Sequence, residues 1–201
     1  VADVSLTNIT LVLRTLHGPI TKTLDTLAIL PQPKVIKIEG PYRSSRRFPN
    51  FVEEYDRILL VAGGIGATFI LPIYRVLRQQ LEGEAKSSNR LTFHWSMRSA
   101  AEALWAIDDP QKAASLEEDN NVRMYITRSN ADDEEPIKAN GGRERPDLEK
   151  IVDEVFKAGK EDKVAVLVCG PLDIAVELRV HVGRWVHRGR EVWWHNERFG
   201  W

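Results

Sequence analysis

The chain has 201 residues, 43% of them apolar, and 28 Lys and Arg against 29 Asp and Glu give it a formal net charge of −1. That length and composition suit one large soluble domain, or one domain and part of another, and exclude the strongly basic field that recruits nucleic acid. A single cysteine, Cys169, excludes an internal disulfide framework and a cysteine-rich metal site. No apolar run approaches the length of a membrane-spanning helix and no leader pattern opens the sequence. Because it starts at Val1 and runs at once into strand-like sequence, we expect a piece of a longer chain.

Taken in order, residues 1–48 hold two β-like runs, 9–14 and 35–39, with a turn at His17-Gly18-Pro19 leading into a short helix between them. From Tyr55 onward, apolar runs alternate with amphipathic stretches. Strands are predicted at 57–62, 91–95, 122–127, 164–169 and 191–195, and helices at 68–81, 100–106, 146–158 and 172–186. Strict alternation of this kind predicts an α/β, Rossmann-like fold, a mostly parallel five-stranded sheet with helices on both faces. Pro146 suits the first position of its helix, and Asp147 and Glu149 its first turn. Residues 129–145, acidic at Asp132-Asp133-Glu134-Glu135, read as a solvated loop. The division expected is 1–48 and 49–201.

The most informative stretch runs from Arg57 to Thr68, where an aliphatic strand ends in Gly63-Gly64-Ile65-Gly66 and a helix follows. Glycine lets a phosphate reach backbone N–H groups that a side chain would screen, and the helix N-terminus favours the negative charge. The spacing is Gly-Gly-x-Gly rather than the Gly-x-Gly-x-x-Gly of the dinucleotide fingerprint, so a plain strand-to-helix turn also fits it.

In a doubly wound sheet, ligands bind beyond the carboxyl ends of the strands. Thr68 follows the glycines there, Trp95, Ser96 and Arg98 follow the second strand, and Arg128 follows the third. Cys169-Gly170-Pro171 follow the fourth, and Phe199 and Trp201 end the chain after the fifth. An acid after the second strand favours NAD and an arginine favours NADP; between Ser96 and Arg98 there is no acid. Each arginine is otherwise a solvated surface charge. The proline-fixed turn at Cys169 and Gly170 leaves room for a flat ring. The histidines, His17, His94, His181, His187 and His195, show no ligand spacing, so no metal is expected. A rim without acid–base pairs suits chemistry that a cofactor performs for itself, such as hydride transfer.

These residues together resemble the C-terminal nucleotide-binding lobe of the ferric-chelate reductase and NADPH oxidase family, within the ferredoxin–NADP reductase superfamily. Gly40-Pro41-Tyr42, Gly63-Gly64-Ile65-Gly66-Ala67-Thr68, Trp95-Ser96-Met97-Arg98 with Trp105, Cys169-Gly170-Pro171 and Glu197-Arg198-Phe199-Gly200-Trp201 carry the resemblance in order, and Gly18 with Thr21 is similar to the family's turn near the FAD pyrophosphate. Departures are Arg43 and Phe69, where the family has glycine and proline, and Arg143-Glu144-Arg145-Pro146, where it has Gly-Arg-Pro.

The resemblance implies an NADPH-dependent flavin oxidoreductase. Residues 1–48 would be the last part of an FAD-binding β-barrel, with Gly18, Thr21, Gly40, Pro41 and Tyr42 toward FAD. Gly63, Gly64, Gly66, Thr68, Trp95, Arg98, Arg128, Gly170 and Pro171 would face NADPH. Cys169 would flank the nicotinamide, and Phe199 and Trp201 would cover the reacting rings. It further implies the rest of the FAD domain and transmembrane haem domains upstream in the same chain, and a membrane-bound parent with this lobe facing the cytosol. Ferric chelate is the implied electron acceptor. The alternatives are dioxygen, as in an NADPH oxidase, and a regulatory module that binds nucleotide without turnover.

Overall fold

The computed structural model describes residues 18–29, 48–82, 90–107, 114–128 and 139–198. The expected strands at 9–14 and 35–39, together with Gly40, Pro41, Tyr42, Phe199 and Trp201, lie outside the described residues. The chain divides into two compact units, Val1–Arg46 and Arg47–Trp201.

In the first unit, helix α1 spans Pro19–Ile29. Proline suits its first position because the missing N–H would have no partner inside the helix. The Lys22 N–H donates to the Gly18 carbonyl at 3.3 Å, and the Thr21 hydroxyl donates to the same oxygen at 3.2 Å.

The second unit is built on five parallel strands: β1 (Arg57–Gly63), β2 (Leu91–Met97), β3 (Val122–Ile126), β4 (Val164–Cys169) and β5 (Val192–Glu197). They lie in the order β3-β2-β1-β4-β5. The helices are α2 (Phe51–Glu54), α3 (Ala67–Gln80), α4 (Leu104–Ile107), α5 (Ala114–Glu118), α6 (Leu148–Lys157) and α7 (Leu172–Val186). This is the Rossmann-like α/β arrangement expected. The chain winds outward from β1 to β3, then returns to β4 on the other side of β1. The loops after β1 and β4 therefore meet at the switch point, where this class of sheet forms its ligand crevice.

The core explains why these runs are strands. Every residue of β4 and all but the first of β1 are buried, as expected for central parallel strands covered on both faces. Alternate side chains divide between two layers. Ile58, Leu60, Ala62, Phe93, Trp95, Leu167 and Cys169 pack with Ile70, Leu71, Tyr74 and Leu77 of α3. Leu59, Val61, Val166 and Val168 pack with Val152 and Phe156 of α6 and Leu178 and Val182 of α7. Strand β5 is an edge and is half-buried throughout. Among the described residues no helix is long and apolar enough to cross a membrane.

Three local expectations need correction. Pro146 lies outside α6, whose N-cap is Asp147, its carboxylate accepting the Lys150 N–H at 2.9 Å. An acid that reaches the third helical N–H satisfies an orphan donor, which Pro146 cannot do. Residues 100–107 are not one helix but a 3₁₀ turn, Ala100–Ala103, followed by α4. Finally, the last part of the expected loop, 139–142, runs along the outer edge of β3. The Gly141 N–H donates to Met124 O at 2.9 Å, the Ile126 N–H donates to Gly142 O at 3.1 Å, and the Asn140 side chain accepts from Met124 N–H and donates to Val122 O. That pairing covers an edge that would otherwise be open.

Candidate functional site

The turn after β1 and the turn after β4 fit into each other, and glycine makes this possible. A Cβ on Gly63 would lie 2.6 Å from Pro171 Cδ, one on Gly170 would lie 2.8 Å from the Gly63 nitrogen, and one on Gly66 would lie 2.1 Å from the Cys169 carbonyl oxygen. On the side where a Cβ would stand, Gly170 is packed against the backbone of Gly63, while the residue remains partly exposed. Gly64 differs. Its φ is +52°, and a Cβ there would meet only the Glu102 carboxylate, at 3.4 Å, among the described residues. Gly64 and Ile65 are half-exposed, whereas Gly63 and Gly66 are buried. Within the turn Gly63–Gly66, Gly64 is the glycine whose backbone stands open to an approaching group.

Trp95 is fully buried, and its indole N–H donates to the Gly64 carbonyl at 3.1 Å. This corrects its expected place on the nucleotide: the ring lies in the core and braces the turn from beneath. The Thr68 hydroxyl donates to Ile65 O at 2.8 Å, fixing the residue between the glycines. No side chain caps the start of α3, and its first N–H, that of Ala67, donates to the Gly64 and Ile65 carbonyls, so it is the positive end of the helix dipole that faces the switch point.

Beyond β2 and β3 the parallel ladder continues for two residues. The Thr127 N–H donates to Met97 O at 2.8 Å, and the Arg128 N–H donates to Arg98 O at 3.0 Å. The main chains of Arg98 and Arg128 therefore meet just beyond the ends of β2 and β3. Both residues are exposed, and neither has an ion-pair partner among the described residues. An exposed guanidinium is a suitable partner for a phosphate.

Cys169 is fully buried on the α3 side of the sheet. Burial, and secondarily the Glu197 carboxylate, pushes its thiol up to about 12. It is not a reactive group on the rim. We expect the folded chain at pH 8 to resist iodoacetamide, with a thiolate fraction of only about one in ten thousand, and to be alkylated at once in denaturant; rapid alkylation of the native protein, read by mass spectrometry, would refute this placement. Because the folded thiol keeps its proton longer than the unfolded one, the stability it contributes is present below about pH 9 and is lost as pH rises toward 12.

Sequence reasoning missed a second group of side chains on β5. Trp193, His195 and Glu197 share one face, and His195 Nε2 lies 2.9 Å from Glu197 Oε2. The His195 ring sits 4.9 Å from that of Phe48, 5.8 Å from Phe69 and 5.8 Å from Trp193. Cys169 is paired with Glu197 across the sheet. The period-two alternation of Trp193, His195 and Glu197 was the available signal. On the opposite face of the sheet, a cleft of about 650 Å³ is lined by His94, Arg123, Tyr125, Arg143, Arg145 and Lys150, among others. His94 Nδ1 lies 3.1 Å from the Tyr125 hydroxyl. Burial, and then the Arg123 charge, lowers its pKa to about 4, so the ring is neutral at physiological pH. Among the described residues no three His, Cys, Asp or Glu side chains are grouped to hold a metal ion.

This geometry can be set beside known proteins. Residues 55–143, which contain the glycine turn, Arg98 and Arg128, match the model of the ferric reductase NAD-binding domain. Residues 55–143 carry a likeness to the NAD-binding domain of the ferric reductases. The chain is 25% identical over 173 residues to the ferric/cupric reductase transmembrane component 2 of Schizosaccharomyces pombe, an alignment covering 80% of this chain and 29% of that relative. The chain thus spans less than a third of that protein's length. Among solved structures, it is similar to the flavohemoglobin of Malassezia yamatoensis with bound FAD and haem (23% identity, TM-score 0.44, covering 73% of this chain and 32% of that one). It is also similar to the cytochrome b5 reductase domain of Ulva prolifera nitrate reductase (17% identity, TM-score 0.43, covering 72% and 49%). The matched model is an NAD-binding domain of reductases, and the curated relative is a reductase component.

Proposed function

We propose that this chain binds NADPH and forms part of a transmembrane ferric-chelate reductase, with FAD held between this lobe and a region upstream. The observation that carries the reading is an open glycine turn at the switch point on the same rim as two exposed arginines whose main chains meet, neither with an ion-pair partner among the described residues. When bound, NADPH supplies the hydride that such a reductase passes to flavin for onward transfer to ferric ion. The residues present fit it. Gly64 and the start of α3 would hold the pyrophosphate, with Gly63, Gly66, Gly170 and Pro171 keeping the two turns in place. Arg98 and Arg128 would hold the 2′-phosphate. Cys169 would serve as packing beneath the nicotinamide end, its neutral thiol and the neighbouring Glu197 closing that side of the crevice. Gly18 and Thr21 would lie toward FAD. The upstream haem domains and the cytosolic placement of this lobe belong to the same proposal.

Calorimetric titration of the 201-residue chain with NADPH and NADH tests the reading. We expect NADPH to bind at least about tenfold tighter, the difference made by one charge-assisted phosphate contact. Equal affinities would contradict the role of the arginine pair, and no binding of either nucleotide would contradict the whole reading.

We further propose that Phe199 and Trp201 act in turnover rather than in folding, as rings that cover the reacting flavin and must move for hydride transfer. Deleting residues 199–201 from the complete reductase should change turnover and the NADPH-to-NADH ratio while leaving the melting temperature nearly unaltered. Lower stability with normal kinetics would instead make them structural anchors.

A further inference from the structure

We infer that Glu102 is a built-in counter-charge at the nucleotide site, which sets how tightly the glycine turn can hold phosphate. The inference rests on the reading of that turn as the pyrophosphate site.

Glu102 belongs to the 3₁₀ turn Ala100–Ala103, whose Ala100 and Ala103 are fully buried. Its backbone is pinned at both ends: the Glu102 N–H donates to Ser99 O at 3.1 Å, and Glu102 O accepts the Trp105 indole N–H at 2.8 Å. With its neighbours buried and its main chain tied, the residue has a fixed starting point. The carboxylate reaches the open glycine of the turn, Oε2 lying 3.4 Å from where a Cβ of Gly64 would stand. It has no ion-pair partner among the described residues, so nothing there neutralises it. The same short stretch of chain therefore supplies Trp95, which braces the Gly64 carbonyl from inside the core, and Glu102, which faces Gly64 from outside.

The consequence is electrostatic. The dipole of α3 and the turn N–H groups attract an anion, and Glu102 already places one there. An incoming pyrophosphate must either displace the carboxylate or bind within a few ångströms of it, where like charges repel strongly because the site is partly desolvated. The penalty falls on every ligand that brings a pyrophosphate, whether or not it carries a 2′-phosphate. Glu102 thus lowers affinity for the dinucleotide as a class, while Arg98 and Arg128 choose between its two forms. A reductase that must release its oxidised nucleotide before accepting the next would benefit from such a weakened grip.

The experiment is calorimetry on the 201-residue chain and its Glu102→Gln and Glu102→Asp variants with NADPH, NADH and ADP-ribose, with melting temperatures measured alongside. Glutamine keeps the size and removes the charge; aspartate keeps the charge and shortens the reach. We expect Glu102→Gln to tighten all three ligands by about tenfold, to leave the NADPH-to-NADH ratio unchanged, and to lose most of its advantage at high salt. Glu102→Asp should fall between. Unchanged affinities in Glu102→Gln would overturn the inference while leaving the nucleotide site intact. Weaker binding in Glu102→Gln would also overturn it, by making the carboxylate an acceptor for a ribose hydroxyl. If the unmodified chain binds none of the three, the nucleotide reading fails first and the inference falls with it.

Discussion

Gly66→Ala will cost the second unit a large fraction of its stability, while Gly64→Ala will cost it much less. A methyl at Gly66 would stand 2.1 Å from the Cys169 carbonyl oxygen and 2.5 Å from its carbon. The obstacle is the main chain at the end of a buried central strand, so no side-chain rotation relieves it. The two turns must separate, and that pulls apart the β1–β4 pairing that joins Ala62 to Cys169. Overpacking a rigid site of this kind costs about 3 kcal/mol or more, a large fraction of a typical domain's total stability. At Gly64 the only neighbour a Cβ would meet among the described residues is the end of a flexible glutamate, and the cost is that of placing alanine at φ +52°, about 1–2 kcal/mol. Urea unfolding followed by tryptophan fluorescence would rank the pair. If Gly66→Ala proved as stable as Gly64→Ala, the close fit of the two turns would be wrong. The same geometry makes Gly66 a poor probe of phosphate binding, since a valine there would destroy the turn before any ligand could report on it.

Arg98→Ala should remove most of the preference for NADPH over NADH without unfolding the chain. The side chain is exposed and unpaired among the described residues, so its loss leaves nothing buried unsatisfied. A guanidinium contact to a phosphate contributes about 1.5–3 kcal/mol, or roughly ten- to a hundredfold in affinity. NADH, which lacks that phosphate, should bind the variant as it binds the parent. Arg128, one strand away, should retain part of the effect, and Arg98→Ala/Arg128→Ala together should bring the two nucleotides level. A NADPH preference that survives the double change would place the 2′-phosphate elsewhere, with the cleft beside Arg143 and Arg145 the next place to look.

Much of this was legible in the sequence for a plain reason. Strands β1 and β4 are buried on both faces, so they read as unbroken aliphatic runs bounded by glycine, and α3 and α7 follow at once with helical periodicity. The order of elements then leaves few topologies for a parallel sheet. What stayed hidden was contact between segments distant in sequence. Three glycines looked like a phosphate cradle, and only the fold shows that Gly63 and Gly66 are small because the β4 turn leans on them. Trp95 and Cys169 follow the right strands to be site residues, but side chains alternate along a strand, and both fall on the face packed beneath α3. Asp147 outcompeted Pro146 for the helix start through a hydrogen bond that composition does not reveal. Glu102 carries no motif at all, and its bearing on Gly64 depends on how a 3₁₀ turn folds back over the sheet end.

The most direct test of the central claim is an amide-resolved NMR titration of the 201-residue chain with NADP⁺. The pyrophosphate should shift the amides of Gly64, Ile65 and Gly66 and the first turn of α3 most strongly, and the 2′-phosphate should shift Arg98 and Arg128. Repeating the titration with NAD⁺ should preserve the first set and abolish the second. Shifts confined to His94, Tyr125 and residues 140–145, or none at the glycine turn, would contradict the account.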